Sequence, residues 1–198
     1  TPLAAPLEPA ALARALDVYA SHGFTTVQDG ATSPASVAAL VRAAQAGALQ
    51  LDVVMYPQVA DVSQELPGLP LREYRIRLAL GGVKLVLDGS PQGKTAYLSE
   101  PYRVPPPGKP ADYRGYPVLS QAFIDAALER FLPVGVPVIA HANGDAAADM
   151  LIAAVEKAVA WYRTYYSGGQ ADMYDYTVRQ IDEYVEDIDA AVELLVRE

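Results

Sequence analysis

Apolar residues recur along the first 168 positions in two alternating rhythms, one of helices and one of short strands. Glu8-Pro9-Ala10-Ala11-Leu12 opens a helix over 8–22, with Pro9 suited to a first helical position and Gly23 to a stop. Phe24-Thr25-Thr26-Val27-Gln28 is β-branched and aromatic and predicts a strand ended by Asp29-Gly30. Ser33-Pro34 caps and starts a second helix that Gly47 closes. Leu51 to Tyr56 reads as a second strand stopped by Pro57. Residues 60–80 carry no clean period, and some helix is expected around Leu71–Leu78. Val83-Lys84-Leu85-Val86-Leu87 is a third strand, ending at Asp88-Gly89. A Pro- and Gly-rich stretch over 89–118 predicts a long loop, and loops of that length in compact domains usually serve function or lack order. Ser120 caps a helix to about Leu132. Val136 to His141 is a fourth strand, and Gly144-Asp145 leads into a helix through about Tyr166.

Strands that alternate with helices predict an α/β fold with a parallel sheet. These strands are nearly all apolar, as in sheets covered on both faces. The polar exceptions fall at C-terminal strand ends: Gln28 and Asp29, Asp88, His141 and Asn143. Ligands of parallel α/β folds bind at that edge.

Composition narrows the chemistry. The 198 residues include no cysteine and two histidines, which excludes disulfides and thiolate metal sites. The net charge of −9 argues against nucleic acid as a partner. No apolar run approaches the roughly 18 residues of a membrane span, and no basic leader precedes Leu3, so a soluble, cytoplasmic protein is expected. The charge is uneven: residues 169–198 hold nine acids against Arg179 and Arg197. Ser167-Gly168-Gly169 sets this stretch off, so residues 1–168 and 169–198 are read as separate units. Met173, Ile181, Tyr184, Val185, Ile188, Val192 and Leu195 recur there at helical spacing and predict an acidic amphipathic helix.

Lys84 is the sharpest candidate. Alternation puts Val83, Leu85 and Leu87 on one face of their strand and Lys84, Val86 and Asp88 on the other. A lysine inside an apolar strand snorkels, pairs with a carboxylate such as Asp88 or Asp29, or does chemistry. His141, at a strand end, is a metal ligand or general base, or else a hydrogen-bonded structural residue. His22 lies in the last turn of a helix, where a cation is favoured, and is read as structural. Asp29, Asp88 and Asp145 sit at βα turns, where such residues commonly cap or close turns. Tyr97, Tyr102, Tyr113 and Tyr116 populate the long loop, either as a pocket wall or as packing for the loop itself.

Several stretches carry a resemblance: Gly23 to Gly30 (GFTTVQDG), Gly81 to Gly93 (GGVKLVLDGSPQG), Thr95 to Tyr102 (TAYLSEPY), Tyr113 to Pro117 (YRGYP) and His141 to Ala147 (HANGDAA). Over about residues 8–158 the chain resembles the amidohydrolase superfamily, in the family 3 branch that includes N-substituted formamide deformylases. The resemblance implies a (β/α)8 TIM-type barrel of which strands 2–5 are present. It implies that Lys84 is the carboxylated strand-four lysine and His141 the strand-five histidine, both ligands of a divalent metal, with zinc expected. It further implies that metal-bound hydroxide attacks small amides at non-peptide C–N bonds, with Gln28, Asp29, Asp88, Tyr97, Tyr102, Asn143 and Asp145 lining the substrate pocket.

The family's His-x-His pair on strand one, its strand-six histidine and its strand-eight aspartate have no counterparts here, and the 169–198 helix matches nothing in it. Two ligands fall short of the three that a catalytic zinc usually takes from protein. A single chain is therefore expected to be an inactive fragment or derivative, completed by strands of another segment or of a second copy in a homodimer. The alternative reading is a non-catalytic βα scaffold that self-associates or binds a partner through its acidic helix.

Overall fold

The computed structural model describes residues 7–165. The acidic helix read over 169–198, the 168/169 boundary and Tyr166 lie outside the described residues. The chain divides into two units, residues 1–154 and 155–198, and among the described residues every strand belongs to the first. Helix α1 spans Pro9–Ser21, strand β1 Thr26–Thr32, α2 Pro34–Gln45, β2 Asp52–Pro57, β3 Leu78–Leu80 and β4 Val83–Val86. Then follow α3 (Gln121–Phe131), a short 3-10 turn (Leu132–Val134), β5 (Val138–His141) and α4 (Asp145–Tyr165).

Local chemistry sets most of these boundaries. The Ser33 hydroxyl accepts from Ser36 N–H at 3.1 Å and Ser120 from Phe123 N–H at 3.3 Å, each satisfying a donor that a helix start leaves free. Pro9 and Pro34 sit at first-turn positions, and Gly23 and Gly47 follow the helix ends with positive φ. Two expectations change. The first strand does not stop at Asp29-Gly30 but continues to Thr32 through a register shift. It can continue because the buried Thr32 hydroxyl donates to Asp29 O and accepts from Tyr56 N–H, so an irregular rung stays hydrogen-bonded. The helix expected near Leu71–Leu78 is absent. Pro67, Gly68 and Pro70 break the run, and Arg72, Ile76 and Arg77 adopt left-handed φ, which no right-handed helix allows.

Among the described residues all strand pairs are parallel: β1 with β2, β2 with β3, and β4 with β5. Strands β3 and β4 are two halves of one run, broken only by Gly81-Gly82. The first half pairs back to β2 and the second forward to β5, while bridges from the segment after β2 reach Lys84. Gly82, at φ +153°, lets the run change partner, since a Cβ there would overlap the Pro137 carbonyl. The described residues thus form four parallel strand positions in chain order, part of a TIM-type barrel wall.

One face of this wall is dry. Val53, Met55, Val83, Leu85 and Leu87 are buried, and Leu16, Leu40, Ala44, Leu49, Leu51 and Leu78 extend the core between the wall and helices α1 and α2. The other face carries the register partners Gln28 with Val54, Lys84 with Ile139, and Val86 with His141. All of these are half-buried except Gln28, which is exposed. In a closed barrel that face is the packed interior.

Candidate functional site at the β4–β5 edge

The register puts Lys84 and His141 on the same face of neighbouring strands, two rungs apart. The pairing of Lys84 with Asp29 or Asp88 does not form. Among the described residues no carboxylate or carbonyl bonds its ammonium, and its pKa is lowered from the ordinary lysine value by desolvation alone. A half-buried amine without a counter-ion is a group made ready to lose its proton or to take up a compensating charge.

His141 is held firmly. Its Nε2 lies 2.7 Å from Gly89 O, and Asn143 Nδ2 donates to the same carbonyl at 2.9 Å. The two nitrogens are 3.0 Å apart. A carbonyl has two lone pairs and no proton, so Nε2 must be the protonated nitrogen for the short contact to attract. The lone pair that remains is on Nδ1.

Asp88 lies beneath this carbonyl with 1% exposure. Its Oδ1 accepts from Asn143 N–H at 2.9 Å, and its Oδ2 accepts from Tyr97 N–H at 2.9 Å and Gly144 N–H at 2.7 Å. Oδ1 is 3.8 Å from His141 Nε2. The carboxylate therefore joins the long loop to the β5–α4 turn. Gly144 permits the approach, because a Cβ there would overlap the Tyr97 backbone. A second carboxylate repeats the device at the surface. Asp145 accepts from Ser99 N–H at 2.8 Å and from the Ser99 hydroxyl. Desolvation raises its pKa, but the hydrogen bonds from Ser99 and Ala146 outweigh it and leave the group below the usual aspartate value.

The remaining candidates scatter. Gln28 shares the Lys84 face on β1. Asp29 points from the opposite face and closes a local turn on Ala31 N–H at 3.2 Å. Tyr97 enters through its backbone. The Tyr102 hydroxyl donates to Ala96 O at 3.0 Å and its ring stacks on Tyr113, so it packs the loop upon itself; burial raises its pKa. The loop over 89–118 has no helix or strand, yet it is fastened along its length, with Tyr113 hydroxyl on Lys94 O, Arg114 on Ser99 O and Val118 N–H on Leu87 O. Sequence reasoning missed Gly89 O and Ser99. Neither carries a side-chain signal of its own, although Gly89 follows the strand-end aspartate directly. Among the described residues no group of three His, Cys, Asp or Glu gathers as a metal cluster.

A family model described as "Amidohydrolase family" matches residues 2–191. The chain belongs to the amidohydrolase family. The match runs past the 8–158 expected from motifs and takes in most of the stretch thought unmatched. Two solved structures are similar. An uncharacterized metal-dependent hydrolase from Pyrococcus furiosus is 32% identical with a TM-score of 0.63, over 76% of this chain and 31% of that one. One from Pyrococcus horikoshii OT3 is 27% identical with a TM-score of 0.64, over 76% and 30%. This amidohydrolase chain thus spans less than a third of the length of either. No curated protein matches it. Among the described residues no helix is long and apolar enough to cross a membrane.

Proposed function

We propose that this chain contributes part of the metal site of an amidohydrolase that cleaves non-peptide C–N bonds of small amides, formamides among them. The observation that carries this reading is the pair Lys84 and His141, on one face of adjacent strands, one without a counter-ion and the other with Nδ1 free. The donor set fits two positions of a divalent site. Lys84, once carboxylated by dissolved carbon dioxide, offers an anionic oxygen, and His141 offers a neutral imidazole. Zinc suits such oxygen and nitrogen donors. When bound, the metal supplies Lewis acidity to an amide carbonyl and lowers the pKa of a water to roughly 7.

The chain's own residues do the rest. The Lys84 amine loses a proton readily because burial disfavours its charge, which makes it nucleophilic toward carbon dioxide. His141 presents one fixed nitrogen. The loop 89–118 is fastened at the end of β4, by Tyr97 N–H on Asp88 and Val118 N–H on Leu87 O. Further ligands come from strands outside the described residues, in a longer chain or in a second copy closing the barrel, so the isolated chain is inactive. That neighbouring structures are metal-dependent hydrolases supports the metal.

The test combines metal and carbamate. Chelator-free protein incubated with zinc and 13C-bicarbonate should show a carbamate carbon signal and zinc uptake, and both should vanish in Lys84→Ala. Zinc uptake should also fall in His141→Ala. Equal zinc uptake by wild type and both variants would sink the reading. Sedimentation with and without zinc separates a second copy from strands of a longer chain. A non-catalytic scaffold would give neither signal.

A further inference from the structure

We infer that Asp88 is the positioning residue for His141, fixing which imidazole nitrogen faces the open side of the wall. The groups form a closed circuit. The Asp88 carboxylate holds Asn143 by its N–H, and the Asn143 side chain donates to Gly89 O. Gly89 is bonded covalently to Asp88, and its carbonyl receives the His141 Nε2–H at 2.7 Å. Asp88 thus sets both ends of the frame that grips the imidazole. It does so from a buried place, where its oxygens are already taken by three backbone donors. Three backbone N–H groups and near-complete burial tie the carboxylate to the backbone around it. Its service is geometric: a fixed Nε2–H leaves Nδ1 as the available lone pair. Partners of this kind commonly set ligand histidine tautomers.

The alternative is that Asp88 only fastens the long loop. Asp145 and Ser99 fasten the same loop without touching the circuit, which separates the two roles. The inference rests on the preceding reading only for its consequence at the metal, and its test needs no metal. Long-range 1H–15N correlation of the His141 ring, in apo protein at a pH where the imidazole is neutral, reports the tautomer. The wild type should be the Nε2–H form. Asp88→Asn, with an NH2 turned against backbone donors, should lose that preference and give a mixture. Ser99→Ala should keep the wild-type pattern while loosening the loop. An Nδ1–H wild type, an unchanged Asp88→Asn, or an equal loss in Ser99→Ala would each overturn the inference. If Asp88→Asn does not fold, Asn143→Ala carries the test. It removes the side-chain arm of the circuit while keeping its N–H on Asp88, so the Nε2–H preference should weaken to a mixture, and an unchanged tautomer there would overturn the inference. A wild type with the right tautomer that binds no zinc would sink the proposed function alone.

Discussion

Two long connections leave the same wall without regular structure, and they are built in opposite ways. The one after β4, over 87–120, is sewn to the strand edge by carboxylates that accept backbone N–H groups, and its tyrosine hydroxyls close on its own carbonyls. The one between β2 and β3, over 58–77, has few such ties. Asp61 bonds Ser63, and Arg77 reaches Gln50 O and Asp52 at 3.2 and 3.3 Å. It holds three non-glycine residues at positive φ, leaves Tyr74 and Ile76 exposed, and forms with α2 an open groove of about 960 Å³. The difference in ties follows from where acceptors sit relative to strand ends. The more heavily tied connection is the one that meets His141, through Gly89 O.

The contrast breaks most sharply at Asp88. Asp88→Ala leaves one buried and two part-buried N–H donors without their acceptors, and unfolding free energy should fall by about 4 kcal/mol in urea titration, given roughly 1–3 kcal/mol per stranded donor. Hydrogen exchange should speed first at Tyr97, Asn143 and Gly144. A loss under about 1 kcal/mol would mean that the carboxylate does not join the two segments. Gly144→Ala should rank next, at about 2–3 kcal/mol, because its Cβ meets backbone that has no side-chain freedom to yield. The equivalent Gly68→Ala in the other connection, with open space around it, should cost almost nothing.

Much of this wall is legible in the sequence. The caps Ser33 and Ser120, the stops Gly23 and Gly47, and the alternation around Lys84 all act locally, so residue type and spacing suffice to find them. Lys84 stands out because a cation in an apolar strand is anomalous wherever it falls. Asp88 was visible as a strand-end acid, yet its role was not, because its partners are backbone groups 9, 55 and 56 residues away. Residues 58–77 defeat the period because a backbone with left-handed residues has no period. The change of partner at Gly81-Gly82 depends on the approach of Pro137, a contact that no local pattern encodes.

Acid should loosen the site loop where Asp145 ties it. The folded pKa of Asp145 lies below the unfolded value of 3.8, so its contribution is present above that value. As pH drops below about 3.8 the unfolded chain takes up the proton first, and the stabilisation is gone once pH passes the folded pKa. Hydrogen exchange at Ser99 should rise through that acid window. Ser99→Ala should flatten the rise and cost about 1 kcal/mol at neutral pH, the ordinary worth of one such bond at a partly exposed site. An acid response unchanged in Ser99→Ala would place the titrating group elsewhere.

The smallest expected effect has the opposite sign and lies in the loose connection. Ile76 combines φ +53° with 52% exposure, so a β-branched side chain sits in a conformation it disfavours and recovers little by burial. Asparagine tolerates that backbone region far better. Ile76→Asn should therefore raise stability slightly, by about 0.5 kcal/mol, as a small upward shift in thermal midpoint. The same logic fails for the site loop's one such residue, Lys94, at φ +51°. Its ammonium donates to Val104 O at 2.6 Å and its carbonyl accepts from Tyr113, so replacing the side chain removes a tie as it relieves strain. Lys94→Asn should be neutral or destabilising. Opposite outcomes for the two substitutions would mean that hydrogen bonding at strand ends does not separate these loops, and that backbone strain is distributed evenly between them.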